Sequence, residues 1–452
     1  MTEPWRDANP AAWTREQAAR IDRTAETVKP MIRPTEERIS GEVHIWDTWL
    51  LRNRDGTIAD IGGYRVVFAL TAPSDLLPGK RHDIAEIRYF YSTDGRTWRD
   101  GGPVFAGSKP RGSRQWAGCG VYDPAGDGDD VYLYYTAAGR RGEAELSYGQ
   151  RIALATGGTL RADGDLSIDG PWEHEILLEP DGEYYETEAQ SRGMIYTFRD
   201  PWFFEDPADG EAYLLFEANV LVPEGSNLCG GDADLQTFNG CVGVAHSPGN
   251  DPTDFELRPP ILTGVCVNQE LERPHMVVRD GRYYLFISSH MHTFAPGLEG
   301  FDAMYGFVAD ALDGAYEPLN GSGLVLTNPG SASFQAYSWL TFEHGEELLV
   351  TSFFNFYDFN RPTLDEIADL SEEEQLRRFG GTLAPTVRLE LDPEAKRTRV
   401  IGTLDSGHIP LPDEPLPELS DEDRPDPDLG SDTGSPGSRR GGEYGPYRSR
   451  PR

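Results

Sequence analysis

Lysine is nearly missing from this chain. Four occur in 452 residues, Lys29, Lys80, Lys109 and Lys396, so most positive charge is arginine. Positive charge of any kind is short, with 41 basic against 76 acidic residues and a net charge of −35. Such a surface repels nucleic-acid phosphates and anionic lipid, which excludes partners of both classes. Long apolar runs are also lacking, so no membrane-spanning helix is expected. The start, "MTEPWRDANPAAWTREQ", has no apolar core segment and no twin arginine, so no secretory leader is visible. Cysteine is sparse: Cys119, Cys229, Cys241 and Cys266. Four are too few for a disulfide scaffold, and without CxxC spacing a zinc site is not expected. Cys229 and Cys241 bracket "GGDADLQTFNG" and could close one loop disulfide; free buried thiols are the equal alternative.

Glycine (50), proline (34) and aromatics (11%) are plentiful. That mix suits a β-rich protein with many turns rather than a helical bundle. Acid excess with so little lysine is similar to proteins of salt-loving organisms; a GC-rich genome with an acidic tail would give the same bias. Short β-type runs recur from about residue 40 to 410, among them "YRVVFAL", "EIRYFYS", "DVYLYYTAA", "AYLLFEANV", "GRYYLFISSH" and "ELLVTSFF". Turns such as "STDGRTW" and "VRDGRYY" separate them and read as hairpins. The chain divides into a helical N-terminal segment (1–36), an all-β domain (37–412) and a disordered acidic, Pro- and Gly-rich tail (413–452). A surface helical insertion is expected at 361–378. Small antiparallel sheets in series suit a β-propeller, although a large sandwich has the same periodicity.

Three carboxylates stand in unusual settings. Asp47 in "VHIWDTWLLRNRDG" lies among Trp46, Thr48 and Trp49, and a buried charge is costly unless it is paired or used. Asp200 in "YTFRDPWFFEDP" follows Arg199 and precedes a proline. Glu270 and Glu272 in "CVNQELERPH" are two apart and would share one strand face, with Arg273 next. Each alone reads more simply as a cap or a solvated charge. Together they suit glycoside cleavage, in which two carboxyl groups flank the scissile bond, roughly 5–5.5 Å apart in retaining enzymes. Aromatic neighbours fit as stacking surfaces for sugar C–H faces.

In this order, "WDTW", "RQWAGCG", "FRDP", "ELERPH" and "QAYSW" resemble glycoside hydrolase family 68 over roughly residues 40 to 410. The resemblance implies a five-bladed β-propeller with an acidic central funnel. It implies an enzyme that cleaves sucrose through a covalent fructosyl-enzyme and passes fructose to water or to a growing fructan of levan or inulin type. On the matching motifs, Asp47 is the nucleophile, Asp200 the transition-state stabiliser and Glu272 the general acid/base. Glu270, Arg199 and Arg273 would hold sugar, Trp46 and Trp116 would wall the fructosyl pocket, and Tyr337 and His290 would stand near the acid/base. The expected partners are sucrose and sugar acceptors, and a monomer is expected. The family is largely secreted; with no leader in view, a cytoplasmic location is the alternative.

The chain departs from that pattern in places. Ala117 stands where many relatives carry a serine that hydrogen-bonds the nucleophile. Gln269 stands where calcium-binding relatives carry an aspartate, so no cofactor or metal is expected. Two rival readings stay open at this point: a mainly hydrolytic β-fructofuranosidase, and a propeller that binds carbohydrate without catalysis.

Overall fold

In a computed structural model, residues 3–33, 38–124, 131–359 and 361–419 are described. The protein is all-β, with few and short helices. Its strands form four hydrogen-bonded sheets. One runs Phe198–Glu205, Ala212–Asn219, Gly240–Ser247, Glu256–Thr263, with a two-residue strand, Ala11–Ala12, parallel at its edge. A second begins Glu272–Arg279, Arg282–Ser289, Ala303–Ala309, and a third begins Ala336–His344, Glu347–Phe356, Pro385–Asp392. The largest, of nine strands, is two antiparallel runs joined by a parallel pairing of Val43–Asn53 with Arg114–Tyr122. A strand such as Val131–Ala138 is buried at every position, which explains its uninterrupted apolar run "VYLYYTAA": both faces are covered.

The hairpin signals act as read. Asp280 and Gly281 both have positive φ (54° and 74°) between the paired Arg279 and Arg282, the backbone of a type I′ turn. Gly95 in "STDGRTW" has a second reason to be glycine: a Cβ there would lie 2.0 Å from the Ile409 carbonyl oxygen.

The strands Val43–Asn53, Arg114–Tyr122, Phe198–Glu205, Glu272–Arg279 and Ala336–His344 lie side by side, each in contact with the next and the last with the first. Each carries a break in register at one level: Trp46/Thr48, Trp116/Gly118, Arg199/Trp202, Glu272/His275 and Tyr337/Leu340. A bulge leaves an extra residue unpaired and re-aims its side chain. Asp47, Asp200, Arg273 and Ser338 occupy these breaks with φ of 43°, 57°, 51° and 60°. Left-handed backbone is uncommon outside glycine, and its recurrence at one level marks a place where geometry is kept at a cost in strain.

Three expectations need correction. The N-terminal segment is not one helix: single turns at Pro4–Asp7 and Arg15–Ala18 flank the edge strand. Its tryptophans tie it to the sheets, Trp5 donating to the Leu221 carbonyl (2.7 Å) and Trp13 to the Ser322 carbonyl (3.0 Å). Burial of these indoles outweighs the weak intrinsic preference of a short polar helix. The insertion at 361–378 is a 3-10 turn, Leu364–Asp369, followed by a short helix, Glu372–Arg378, capped by Ser371. The tail begins later than residue 413: Glu414 pairs with Arg96, and the Pro417 carbonyl accepts from Arg388 (2.7 Å). The remainder of the expected tail, 420–452, and positions 34–36 of the expected N-terminal segment lie outside the described residues. No helix among the described residues is long and apolar enough to cross a membrane.

The disulfide joins Cys229 to Cys266, leaving Cys119 and Cys241 as buried free thiols. Cys241, the loop partner considered for Cys229, instead sits in the Gly240–Ser247 strand with no exposed surface.

Candidate active site

Bulged strands bring the carboxylates of distant segments together. One oxygen each from Asp200, Glu217 and Glu272 lie within 4.8 Å of one another, and so do ligand atoms of Glu270, Glu272 and His290. Asp47 comes from another inner strand, Val43–Asn53, and is among the charges that act on Asp200. Of the residues expected from sequence, Asp200, Glu270, Glu272 and His290 are brought together, with the Asp47 charge close enough to act on Asp200.

Arg199 is the hub. Its Nε donates to Glu217 at 2.7 Å, and one terminal nitrogen reaches Glu270 and Glu272 at 3.0 Å each. Burial works against its charge, but Glu217, Glu272 and Glu270 overcome this and hold its proton well above the ordinary range. Arg199 thus places a positive charge among these carboxylates. Gln269 spends its amide on the chain, accepting from Met194 N–H and donating to the Ile195 carbonyl, both at 3.0 Å.

Glu272 is held at both oxygens. Oε1 accepts from Arg199, and Oε2 accepts from the Tyr337 hydroxyl. Burial, then the charge of Glu270, raises its pKa, while His290, Arg199 and Tyr337 oppose. His290 stacks on Tyr337 (centroids 3.9 Å apart, 14° between planes) and places Nε2 3.8 Å from Glu272. Its Nδ1 bonds Asp302 at 3.0 Å. Burial opposes a proton on His290, but Asp302, Glu272 and Glu270 raise its pKa to about 9.

Asp200 is almost fully buried, and burial pushes its pKa up to about 6 against the pull of Arg199 and Arg273. Two backbone contacts fix its direction. Its own N–H donates to Thr136 Oγ1 at 2.9 Å, and its Oδ2 accepts from the Arg273 N–H at 3.3 Å. The Thr136 hydroxyl in turn donates to the Ala117 carbonyl at 2.9 Å, tying the Asp200 bulge to the Ala117 bulge. The Arg273 guanidinium braces the ring of strands: it donates to Ser338 Oγ (3.0 Å) and to the Thr48 carbonyl (2.9 Å).

Of the two expected aromatic walls, Trp116 is half-buried and Trp46 has no exposed surface. The Trp116 indole donates to the His82 carbonyl at 3.0 Å, and Trp46 packs edge-on against the His82 ring. Trp49 is core, stacked on Phe68.

Sequence reasoning missed Glu217, Asp302, Thr136, Ser338 and His82. Glu217 has no exposed surface, and burial drives its pKa well above the ordinary range. The available signal was an acid inside "AYLLFEANV", a run otherwise apolar apart from Asn219.

The chain matches, over residues 3–410, the model of a family described as Levansucrase/Invertase. It is 38% identical over 432 residues to a levansucrase of Rahnella aquatilis, covering 89% of this chain and 96% of that protein. It is 35% identical over 423 residues to an extracellular sucrase of Zymomonas mobilis, covering 89% and 95%. Among solved structures it is similar to an inulosucrase from Halalkalicoccus jeotgali bound to kestose. That match has a TM-score of 0.88 and 63% identity, and covers 91% of this chain and 100% of that one.

Proposed function

The chain belongs to the Levansucrase/Invertase family, and from that premise we propose that it is a sucrose-cleaving fructosyltransferase. The observation that carries this reading is the meeting of the Asp200, Glu217 and Glu272 carboxylates around Arg199, with the Asp47 charge near enough to act on Asp200. A protein that only bound sugar would have no use for a buried acid whose proton is favoured by its surroundings.

We assign the steps as follows. The Asp47 carboxylate attacks the anomeric carbon of the fructosyl unit as the bond to the glucosyl oxygen breaks, and Glu272 delivers its proton to that oxygen. Glucose leaves and an ester joins fructose to Asp47. Glu272, now ionised, takes the proton of an incoming hydroxyl, whose oxygen attacks the same carbon and releases Asp47. If the hydroxyl belongs to a sugar the product is a fructan of levan or inulin type; if it is water, free fructose. Asp200, ionised above about pH 6, lies where positive charge builds on the ring and stabilises it electrostatically. Burial and Glu270 favour the protonated Glu272 that the first step needs; Arg199, His290 and Tyr337 favour the ionised form that the second step needs.

The reading extends to architecture. A five-bladed propeller is supported by the closed sequence of inner strands, each opening an antiparallel run. One catalytic domain spanning 37–412, with the N-terminal segment strapped across it and no resident metal, is consistent with Arg199 as the charge at the centre. Work outside the cell on sucrose and sugar acceptors is supported by the likeness to an extracellular sucrase, and we take the acting form to be a monomer. The Cys229–Cys266 disulfide points the same way, because such bonds persist in oxidising surroundings. The acid-rich, lysine-poor surface suits work at high salt.

The test is incubation with concentrated sucrose and measurement of both monosaccharides. A transferase frees more glucose than fructose; equal release identifies a hydrolase, and no release ends the enzymatic reading.

A further inference from the structure

One cavity, of about 370 Å³, includes none of these carboxylates and is lined by Lys109, Pro110, Arg111, Gly112, Arg140, Arg141 and Arg151. Its size falls within the ligand-pocket range of roughly 300–1,000 Å³. Its charge runs against the rest of the molecule. With 76 acidic residues to 41 basic ones, an arginine on this surface has carboxylates to choose from. Elsewhere arginines take them: Arg54 pairs with Glu205 and Asp123, Arg88 with Asp100, Arg388 with Glu347 and Arg399 with Glu390.

Around the cavity, none of the five cations has an ion pair with a carboxylate among the described residues. The nearby Glu143 is turned to other partners: the Ser113 and Ser147 hydroxyls, the Arg140 backbone N–H and the buried Arg114. Three of the guanidinium groups are oriented by backbone carbonyls instead, Arg111 by His174 (2.9 Å), Arg151 by Gly139 (2.9 Å) and Arg141 by Pro110 (3.5 Å). These contacts set direction without cancelling charge. Five like charges around one concavity repel one another, a cost that an anion inside would reverse. The field is felt next door: burial, then Arg111 and Arg141, pushes the His174 pKa down to about 4.

We propose that this cavity binds a divalent tetrahedral oxyanion, phosphate or sulfate, free or carried on a sugar. Planar guanidinium forks match tetrahedral oxyanions through paired, charge-assisted hydrogen bonds. An extended polyanion is disfavoured because the acidic excess of the whole molecule would repel it. The lining of the cavity shares no residue with those assigned to the sucrose site.

The test is calorimetric titration of the full chain with inorganic phosphate, and separately sulfate, at an ionic strength fixed with sodium chloride. Saturable binding is expected. An Arg140→Ala/Arg141→Ala double variant should bind about tenfold or more weakly, as expected for the loss of charge-assisted hydrogen bonds. Arg399→Ala, which removes an arginine paired elsewhere, should leave the affinity unchanged. Sucrose turnover in the double variant checks that it folds; should it be lost, Lys109→Ala, a single change at an exposed side chain, carries the comparison. Glucose 6-phosphate binding more tightly than phosphate, with loss in the same variants, assigns the ligand as a sugar ester; equal binding assigns the free ion. Absence of saturable binding in the wild type, or unaltered affinity in the cavity variants, overturns the proposal.

Discussion

Replacing Thr136 by valine removes one oxygen from a side chain with no exposed surface and keeps its shape. That oxygen accepts from the Asp200 N–H and donates to the Ala117 carbonyl, each at 2.9 Å. Water has no route to replace it, so both backbone groups lose their partner. A buried polar group left unsatisfied costs about 1–3 kcal/mol, so the two together should destabilise the protein by roughly 2–6 kcal/mol. The functional loss should be separate. Asp200 holds φ at 57°, and with its N–H released the carboxylate can drift from the ring position it must face. Small misplacements of a reacting group cost up to about a hundredfold in rate, so kcat/KM for sucrose should fall by roughly ten- to a hundredfold. Thr136→Ser, which keeps the oxygen and drops the methyl, should stay near wild type in rate. Urea unfolding midpoints and initial glucose release check both arms. A valine variant with wild-type kcat/KM, or serine and valine variants equally impaired, would refute the role given to the hydroxyl.

Tyr337→Phe keeps the stack on His290 and removes the hydrogen bond to Glu272. That bond favours the carboxylate, so its loss raises the Glu272 pKa; the alkaline limb of kcat/KM, where the acid is lost, should move to higher pH, and a downward move would count against Glu272 as the acid. Asp302→Asn removes the main charge holding the His290 proton. The folded pKa of about 9 lies above the ordinary value of 6.5, so this contribution is fully present below pH 6.5 and fades as pH rises through 9. The variant should therefore be less stable than wild type at pH 6, with the gap narrowing by pH 10; a gap independent of pH would contradict the pairing. Ala117→Ser should change the ratio of free fructose to transferred fructose, measured by sugar analysis after sucrose incubation, and an unchanged ratio would show that a hydroxyl at this bulge does not reach the nucleophile.

The parts of the site that could be read from sequence are those where function forces an odd neighbour. Asp47 among tryptophans, Asp200 between arginine and proline, and Glu270 and Glu272 two apart all break the local pattern of a strand. The structure supplies the reason: Asp47, Asp200 and Arg273 sit in bulges with left-handed backbone, where ordinary strand sequence is not required. Glu217 could not be found this way because it sits in regular pairing opposite Arg199, inside an unbroken strand. The sheet-rich fold was legible from turns such as Asp280-Gly281, which encode their own geometry locally. The pairing of Cys229 with Cys266 was not, since it depends on how a strand pair within a sequence separation of 37 brings the two cysteines together. The N-terminal segment misled for the opposite reason: its helix-like spacing belongs to residues whose tryptophans are claimed by distant sheets.

The division of labour between the carboxylates is most directly tested by quenching the enzyme with acid during sucrose turnover and mapping the trapped adduct by mass spectrometry. One fructosyl unit is expected on the peptide carrying Asp47, absent when Asp47 is replaced by asparagine. An adduct on the peptide carrying Asp200, or full sucrose turnover by the Asp47→Asn protein, would contradict the mechanism.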